Sequence, residues 1–213
     1  MKGVLHFDGA CLPFNPGGVA TFGWVLEWEG KKERGGGVES ESGTNNVAEY
    51  SGLIHGLERA IEVGIGEITV KGDSQLVIYQ LQGRYTVNSE RIRPYYLRAE
   101  ELLRRFKRVR LVWIPREENS EADRLSARAY VRYELLKEYE KKDTIREWEK
   151  LGDGLYRVND YEVRLSSPRR YSCTCPAFKR KNSARLLRRS GIVVPCKHIA
   201  FVYFEVLKSL RDS

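Results

Sequence analysis

The 213-residue sequence contains no apolar run approaching the ~20 residues that cross a bilayer. Its opening, "MKGVLHFDGACL", lacks the charged-then-apolar pattern of a secretory leader, so the expectation is a soluble cytoplasmic (intracellular) protein with no membrane partner. No internal repeat or low-complexity segment is present, which excludes a solenoid or a disordered tract. The chain has one Met, three Gln, three His and four Cys. Cys11 stands alone and the other three cysteines lie near the C-terminus, so a disulfide framework is disfavoured against metal ligation in a reducing compartment. Glu outnumbers Asp 22 to 7, a balance found in heat-adapted proteins.

Acid is unevenly missing. Residues 1–150 hold 24 Lys+Arg against 24 Asp+Glu, whereas residues 151–213 hold 13 against 5, so the whole net charge of +8 sits in the last segment. Such a block fits a polyanionic partner, a solvated surface being the alternative. The pattern changes near residue 140, which divides the chain into 1–140 and 141–213.

In the first part, "GVLHFDG", "VATFGWVLEW", "EITVKG" and "RVRLVWIP" read as strands, the last of them buried, and "KKERGGGVES" as a turn plus a strand. "NNVAEYSGLIHGLERAIEV" has helical spacing, "DSQLVIYQLQG" is a short helix, and Ser89 to Phe106 is a helix kinked or begun late at Pro94. A long helix follows Asn119 and Ser120, both cap candidates. The order implies an α/β fold whose five-stranded mixed sheet has three strands joined as hairpins and two joined by helical crossovers.

Four acids stand in unusual places. Asp8 closes an apolar strand, where an unpaired carboxylate is costly. Glu49 lies in the first turns of an amphipathic helix, Asp73 where a strand hands over to a helix, and Asp123 in the first turn of the long helix. Singly, Asp73 and Asp123 read as caps or first-turn acids, and Glu49 as a solvated helix residue. Together they can converge at one sheet edge, where self-repulsion calls for cations. An all-oxygen set favours Mg²⁺ or Mn²⁺, and two such ions ~3.5–4 Å apart serve phosphodiester displacement.

"FDGAC…NPGG", "TNNVAEYSGLIHGLERA", "GDSQLVIYQLQG" and "WIPREENSEADRLSARA" occur in that order over about the first 135 residues, and the set resembles type 1 ribonuclease H. The resemblance implies a five-stranded mixed sheet with flanking helices and endonucleolytic cleavage of the RNA strand of an RNA/DNA hybrid. It implies two Mg²⁺ or Mn²⁺ ions per site on Asp8, Glu49, Asp73 and Asp123, which would be the catalytic residues. Asn15, Asn46 and Gln75 match hybrid-holding positions of the family, with Asn45 and Cys11 as further contacts. The other readings are helix capping for Asn45 and Asn46, and an inert buried thiol for Cys11. The sequence departs from the bacterial pattern in the loop "PREENSE", which has no histidine; Arg116, Glu117 or Glu118 stands in its place. It also lacks a separate basic protrusion. A non-catalytic hybrid-binding adaptor and another nuclease or recombinase of the same superfold are the competing functions.

Cys173-x-Cys175 and Cys196-x-His198 supply four ligands for one tetrahedral, structural Zn²⁺ with no position left for water. The spacing, preceded by a strand hairpin and followed by "PCKHIAF", resembles the SWIM zinc-binding domain from about Asp143 onward. That resemblance implies nucleic-acid or protein binding by a small α+β module. Between the two ligand pairs, Lys179, Arg180, Lys181, Arg185, Arg188 and Arg189 are candidate phosphate contacts, with Tyr171 or Phe178 available for stacking.

Overall fold

A computed structural model describes residues 1–167, 170–183, 187 and 191–209, the last four of these by backbone alone. Two compact units are present, Met1–Tyr130 and Val131–Ser213. No described helix is long and apolar enough to cross a membrane.

The first unit is built on β1 (Lys2–Leu12), β2 (Val19–Trp28), β3 (Lys31–Ser40), β4 (Glu67–Gly72) and β5 (Arg108–Trp113). Their order in the sheet is β3-β2-β1-β4-β5. The first three strands are antiparallel, and β4 runs parallel to both β1 and β5, the mixed sheet the sequence implies. Glu29 and Gly30, with φ of 47° and 75°, join β2 to β3. Two successive left-handed residues make the hairpin turn whose twist suits the flanking strands. Lys31 therefore pairs at once with Trp28, and "KKERGGGVES" is strand throughout, where a turn plus a strand was expected. β5 departs from its expectation as a buried strand. It pairs only with β4, at the sheet's edge, and none of its six residues is buried.

Helices α1 (Asn45–Glu62), α2 (Gln75–Leu81), α3 (Arg93–Leu103) and α4 (Ser120–Tyr139) complete this part of the chain, with a 3₁₀ turn at Arg116–Asn119. α1 buries Tyr50, Leu53, Leu57 and Ala60 in a core shared with Leu5, Phe7 and Val70. Each large apolar side chain so removed from water contributes ~1.5–3 kcal/mol. α3 starts late, with Pro94 in its first turn, where a missing N–H breaks no helical bond.

Glycines set how closely helix and sheet approach. A Cβ on Gly9 would lie 2.1 Å from the Glu49 nitrogen, and one on Gly23 would lie 2.6 Å from the Ala122 oxygen and the Ser126 nitrogen. β1 and β2 thus press directly on the backbones of α1 and α4, near Glu49 and Asp123. Neither backbone can yield cheaply, so Gly9→Ala is expected to destabilise the chain by about 3 kcal/mol or more in urea unfolding. A cost below about 1 kcal/mol would contradict this close approach.

The second unit holds an antiparallel meander of β6 (Trp148–Gly152), β7 (Leu155–Val158), β8 (Tyr161–Ser167) and β9 (Arg170–Cys173). α5 (Pro176–Lys181) and α6 (Lys197–Ser209) follow. β6, all five of whose residues are exposed, has no apolar alternation and was not foreseen; its order comes from pairing with β7. The core is small: Tyr156, Val158, Val163, Ile199 and Val202 pack with Cys173, Cys175 and Cys196.

Candidate active site and metal centre

The parallel register of β1 and β4 ends on the pair Phe7–Gly72, so Asp8 and Asp73 stand next along two adjacent strands. Where parallel strands end at their carboxyl side, open α/β sheets form their binding crevices. Ser74, not Asp73, caps α2: its hydroxyl accepts from the Val77 N–H. Asp73 is free to face the crevice, and its Oδ1 accepts from Asn119 Nδ2 at 2.5 Å. The same Nδ2 donates to the Phe7 carbonyl at 2.7 Å, tying the 3₁₀ turn to both strands. Asn119, a cap candidate in the sequence, is instead a buried brace between β1 and β4.

Glu49 is buried, contrary to its reading as a solvated helix residue. Its carboxylate accepts from the Gly9 N–H, and Oε2 has no hydrogen-bond partner. Burial, then the charges of Asp8 and Asp73, push its pKa well above the ordinary carboxylate range. Asp8 is likewise buried and accepts from the Ser126 hydroxyl. Burial is the largest cause raising its pKa to about 7; the Ser126 bond opposes this, and Asp73 and Asp123 add to it. Asp123 lies in the first turn of α4, and Arg116 donates to its Oδ1 at 2.5 Å.

Four carboxylates thus share one field, and Arg116 is a basic group acting on both buried acids. An unpartnered buried carboxylate oxygen in the field of Asp8 and Asp73 suits a hard divalent cation with oxygen ligands. The residues present therefore fit Mg²⁺ or Mn²⁺.

The second cluster lies at the end of β9 and the starts of α5 and α6. Cys173, Cys175, Cys196 and His198 are all buried, and their ligand atoms lie within 4.8 Å of one another. His198 Nδ1 is 3.7 Å from Cys173 Sγ and 3.9 Å from Cys196 Sγ. Zn–S and Zn–N bonds of about 2.3 and 2.0–2.1 Å give a tetrahedral S···N edge of about 3.6 Å. Backbone N–H groups of Cys175 and Phe178 donate to Cys173 Sγ and Cys175 Sγ at 3.5 and 3.3 Å, which favours thiolates. This donor set fits Zn²⁺.

Sequence comparison settles the family of the first unit. The family described as reverse transcriptase-like matches residues 6–129, more than half of the chain. The chain belongs to the reverse transcriptase-like family. One relative is the "Bifunctional protein Rv2228c" of Mycobacterium tuberculosis, 39% identical over 132 residues, 59% of this chain and 35% of that protein. Another is the "Ribonuclease HI" of Halobacterium salinarum, 41% identical over 130 residues, 58% of this chain and 62% of that protein. Among solved structures, LC11-RNase H1 in complex with an RNA/DNA hybrid matches with a TM-score of 0.55 and 32% identity over 60% of this chain and 96% of that one. The chain therefore spans less than two thirds of the length of both curated relatives. Its reverse transcriptase-like unit is a type 1 ribonuclease H-like domain with the five-stranded mixed sheet.

In this reverse transcriptase-like unit two of the expected contact residues, Asn15 and Asn46, line one cleft. Thr44 caps α1, so Asn45 and Asn46 are not caps. The Asn15 side chain accepts from the Asn45 N–H at 3.0 Å. Asn15 and Asn46 line a cleft of about 430 Å³ that also holds Thr44, Asn88 and Arg91. Gln75 opens α2 and is exposed. Cys11 is buried, with its thiol donating to the Phe14 carbonyl at 3.2 Å, and it anchors the loop that carries Asn15.

Beyond the family match, Lys179 and Arg180 are exposed on α5. Arg188, with Arg185 and Arg189, lies outside the described residues. Lys181 is not a free phosphate contact as expected: it is ion-paired with Glu134 at 2.6 Å and Glu138 at 3.0 Å. Neither ring offered for stacking is fully exposed; Tyr171 is half-buried and its hydroxyl donates to the Val193 carbonyl. Ser126 and the bracing role of Asn119 were missed, because the sequence carries no signal of which strand a helix hydroxyl or amide will meet.

Proposed function

We propose that the chain is an endonuclease that hydrolyses the RNA strand of RNA/DNA hybrids. Residues 1–140 would be its catalytic domain and 141–213 a zinc-stabilised, SWIM-like module that aids nucleic-acid or protein binding. The observation that carries this reading is the buried, unpartnered Glu49 Oε2 under the charges of Asp8 and Asp73, with Asp123 acting on Asp8 in turn. The relative called ribonuclease HI and the similar structure holding a hybrid support the substrate.

Asp8, Glu49, Asp73 and Asp123 would hold two Mg²⁺ or Mn²⁺ ions, which when bound activate water and neutralise charge on a phosphodiester. The protein's own groups set the rest. Asn119 and Ser126 hold Asp73 and Asp8 in place, and Arg116 orients Asp123 where bacterial relatives carry a histidine. The side-chain amides of Asn15, Asn45, Asn46 and Gln75 both donate and accept, as recognition of an RNA 2′-hydroxyl requires. His198 and the three cysteines would hold one Zn²⁺ in a closed, structural site.

The test is incubation of the protein with labelled RNA/DNA, RNA/RNA and DNA/DNA duplexes in Mg²⁺, with cleavage of the hybrid expected and equal cleavage of all three contradicting it. A pH effect follows as well. In the metal-free chain Asp8 has a folded pKa of about 7 against an ordinary 3.8. The folded state thus binds more protons, and the stability this contributes, complete below pH ~4, is lost as pH rises through about 7. Divalent cations bind the ionised acids and reverse that loss. The rise in melting temperature on adding Mg²⁺ is expected to be larger at about pH 8 than at about pH 5.5; equal shifts would place the ion elsewhere.

A further inference from the structure

The outer face of the β8–β9 ladder carries a second polar site. Arg164 and Ser172 are paired across the two strands, and the register shifts between Leu165 and Ser167. Side chains alternate faces along a strand, so Val163, Leu165, Tyr171 and Cys173 turn inward while Arg164, Arg170 and Ser172 turn outward. Their burial follows that division: the outward three are exposed, and Val163 and Cys173 are buried. The irregularity at Ser166 is of the kind that re-aims a side chain and recurs beside binding sites. These residues, with Tyr171 and Val193, line a cleft of about 290 Å³. The Tyr171 hydroxyl donates to the Val193 carbonyl at 2.8 Å, which ties β9 to the segment carrying Val193.

Among the described residues, no acid lines the cleft. Some basic side chains of this unit are paired: Arg157 with Glu149, Lys141 with Glu138, and Lys181 with Glu134 and Glu138. Arg164 and Arg170 have no carboxylate within ion-pair distance among the described residues. Two guanidinium groups, each able to present a fork of N–H donors, thus stand beside two hydroxyl donors. That is the donor set for a tetrahedral oxyanion, and Arg suits phosphate because its fork binds two oxygens at once.

We propose that this cleft is a phosphate-binding site for a nucleic-acid backbone. The inference deepens the proposed function, since it names which surface of the zinc module meets the nucleic acid. The excess of 13 basic over 5 acidic residues in 151–213 favours a polyanion over a single anionic peptide side chain.

The experiment uses the full chain carrying Asp73→Asn, so that substrate stays whole, and measures binding of a labelled RNA/DNA hybrid and a labelled DNA single strand over a salt series. Arg164→Gln with Arg170→Gln is expected to weaken binding of both probes several-fold and to lower the slope of log K against log salt by about 1.4–1.8, two contacts' worth. Arg164→Lys with Arg170→Lys, which keeps both charges, should restore most of the slope. Unchanged slopes in the glutamine variant would overturn the site, as would a loss accompanied by loss of zinc on elemental analysis, which would mark a folding defect. Hybrid cleavage by the chain with Asp73 intact is scored separately. Normal cleavage with unchanged slopes rejects this cleft alone, and absent cleavage rejects the nuclease reading alone.

Discussion

Asp73→Asn is expected to lower hybrid cleavage by at least about 10³-fold, a barrier increase of about 4 kcal/mol, while affinity for hybrid stays within about threefold. The substitution removes one negative charge and almost no volume. An asparagine Oδ1 still accepts from Asn119 Nδ2, so the brace between β1 and β4 persists and the fold is kept. The acid cluster loses one carboxylate charge, whereas Asn15, Asn46 and the cleft they line are untouched. Single-turnover cleavage and a filter-binding titration on the same preparation separate the two effects. Residual cleavage within tenfold of the unaltered chain at saturating Mg²⁺ would remove Asp73 from the catalytic set.

The second large effect concerns the second unit and its proposed zinc site. Three of the eight buried residues in its core cluster are the cysteines themselves, and a unit this small has little other apolar surface to bury. Structural zinc contributes ~10–16 kcal/mol of apparent folding energy in small domains, far more than such a core supplies. The protein, purified without chelator, is expected to hold about one zinc per chain through dialysis against excess Mg²⁺. Cys173→Ser should release it and abolish the cooperative unfolding of this unit, seen by calorimetry as loss of one transition. Elemental analysis that finds no zinc, or an unaltered transition in the serine variant, would count decisively against the cluster as a metal centre.

Much of this arrangement could be read from the chain because the acids conflict with their surroundings. Asp8 sits in an apolar strand and is buried as that placement implies, whereas the burial of Glu49 runs against its reading as a solvated helix residue. Asp73 falls at a strand-to-helix handover, and the parallel register sets it beside Asp8. What could not be read depends on long-range partners. Ser126 looks like any helix serine until α4 packs on Gly23 and brings its hydroxyl to Asp8. Asn119 has the composition of a cap, and only the sheet reveals that its amide meets the Phe7 carbonyl. β5 has the alternation of a core strand, but it has one neighbour, and no local pattern reports which strand will be outermost. β6 owes its order to its partner, so its charged sequence offered no period to detect.

The central claim is that the gathered carboxylates cut one strand of a hybrid. The most direct measurement uses one RNA/DNA hybrid labelled first on the RNA strand and then on the DNA strand, incubated with the protein in Mg²⁺ and again with excess chelator. Internal cuts in the RNA strand leaving 5′-phosphate and 3′-hydroxyl ends are expected, with an intact DNA strand and no product in chelator. Cleavage of the DNA strand, or RNA cleavage that continues unchanged in chelator, would contradict it.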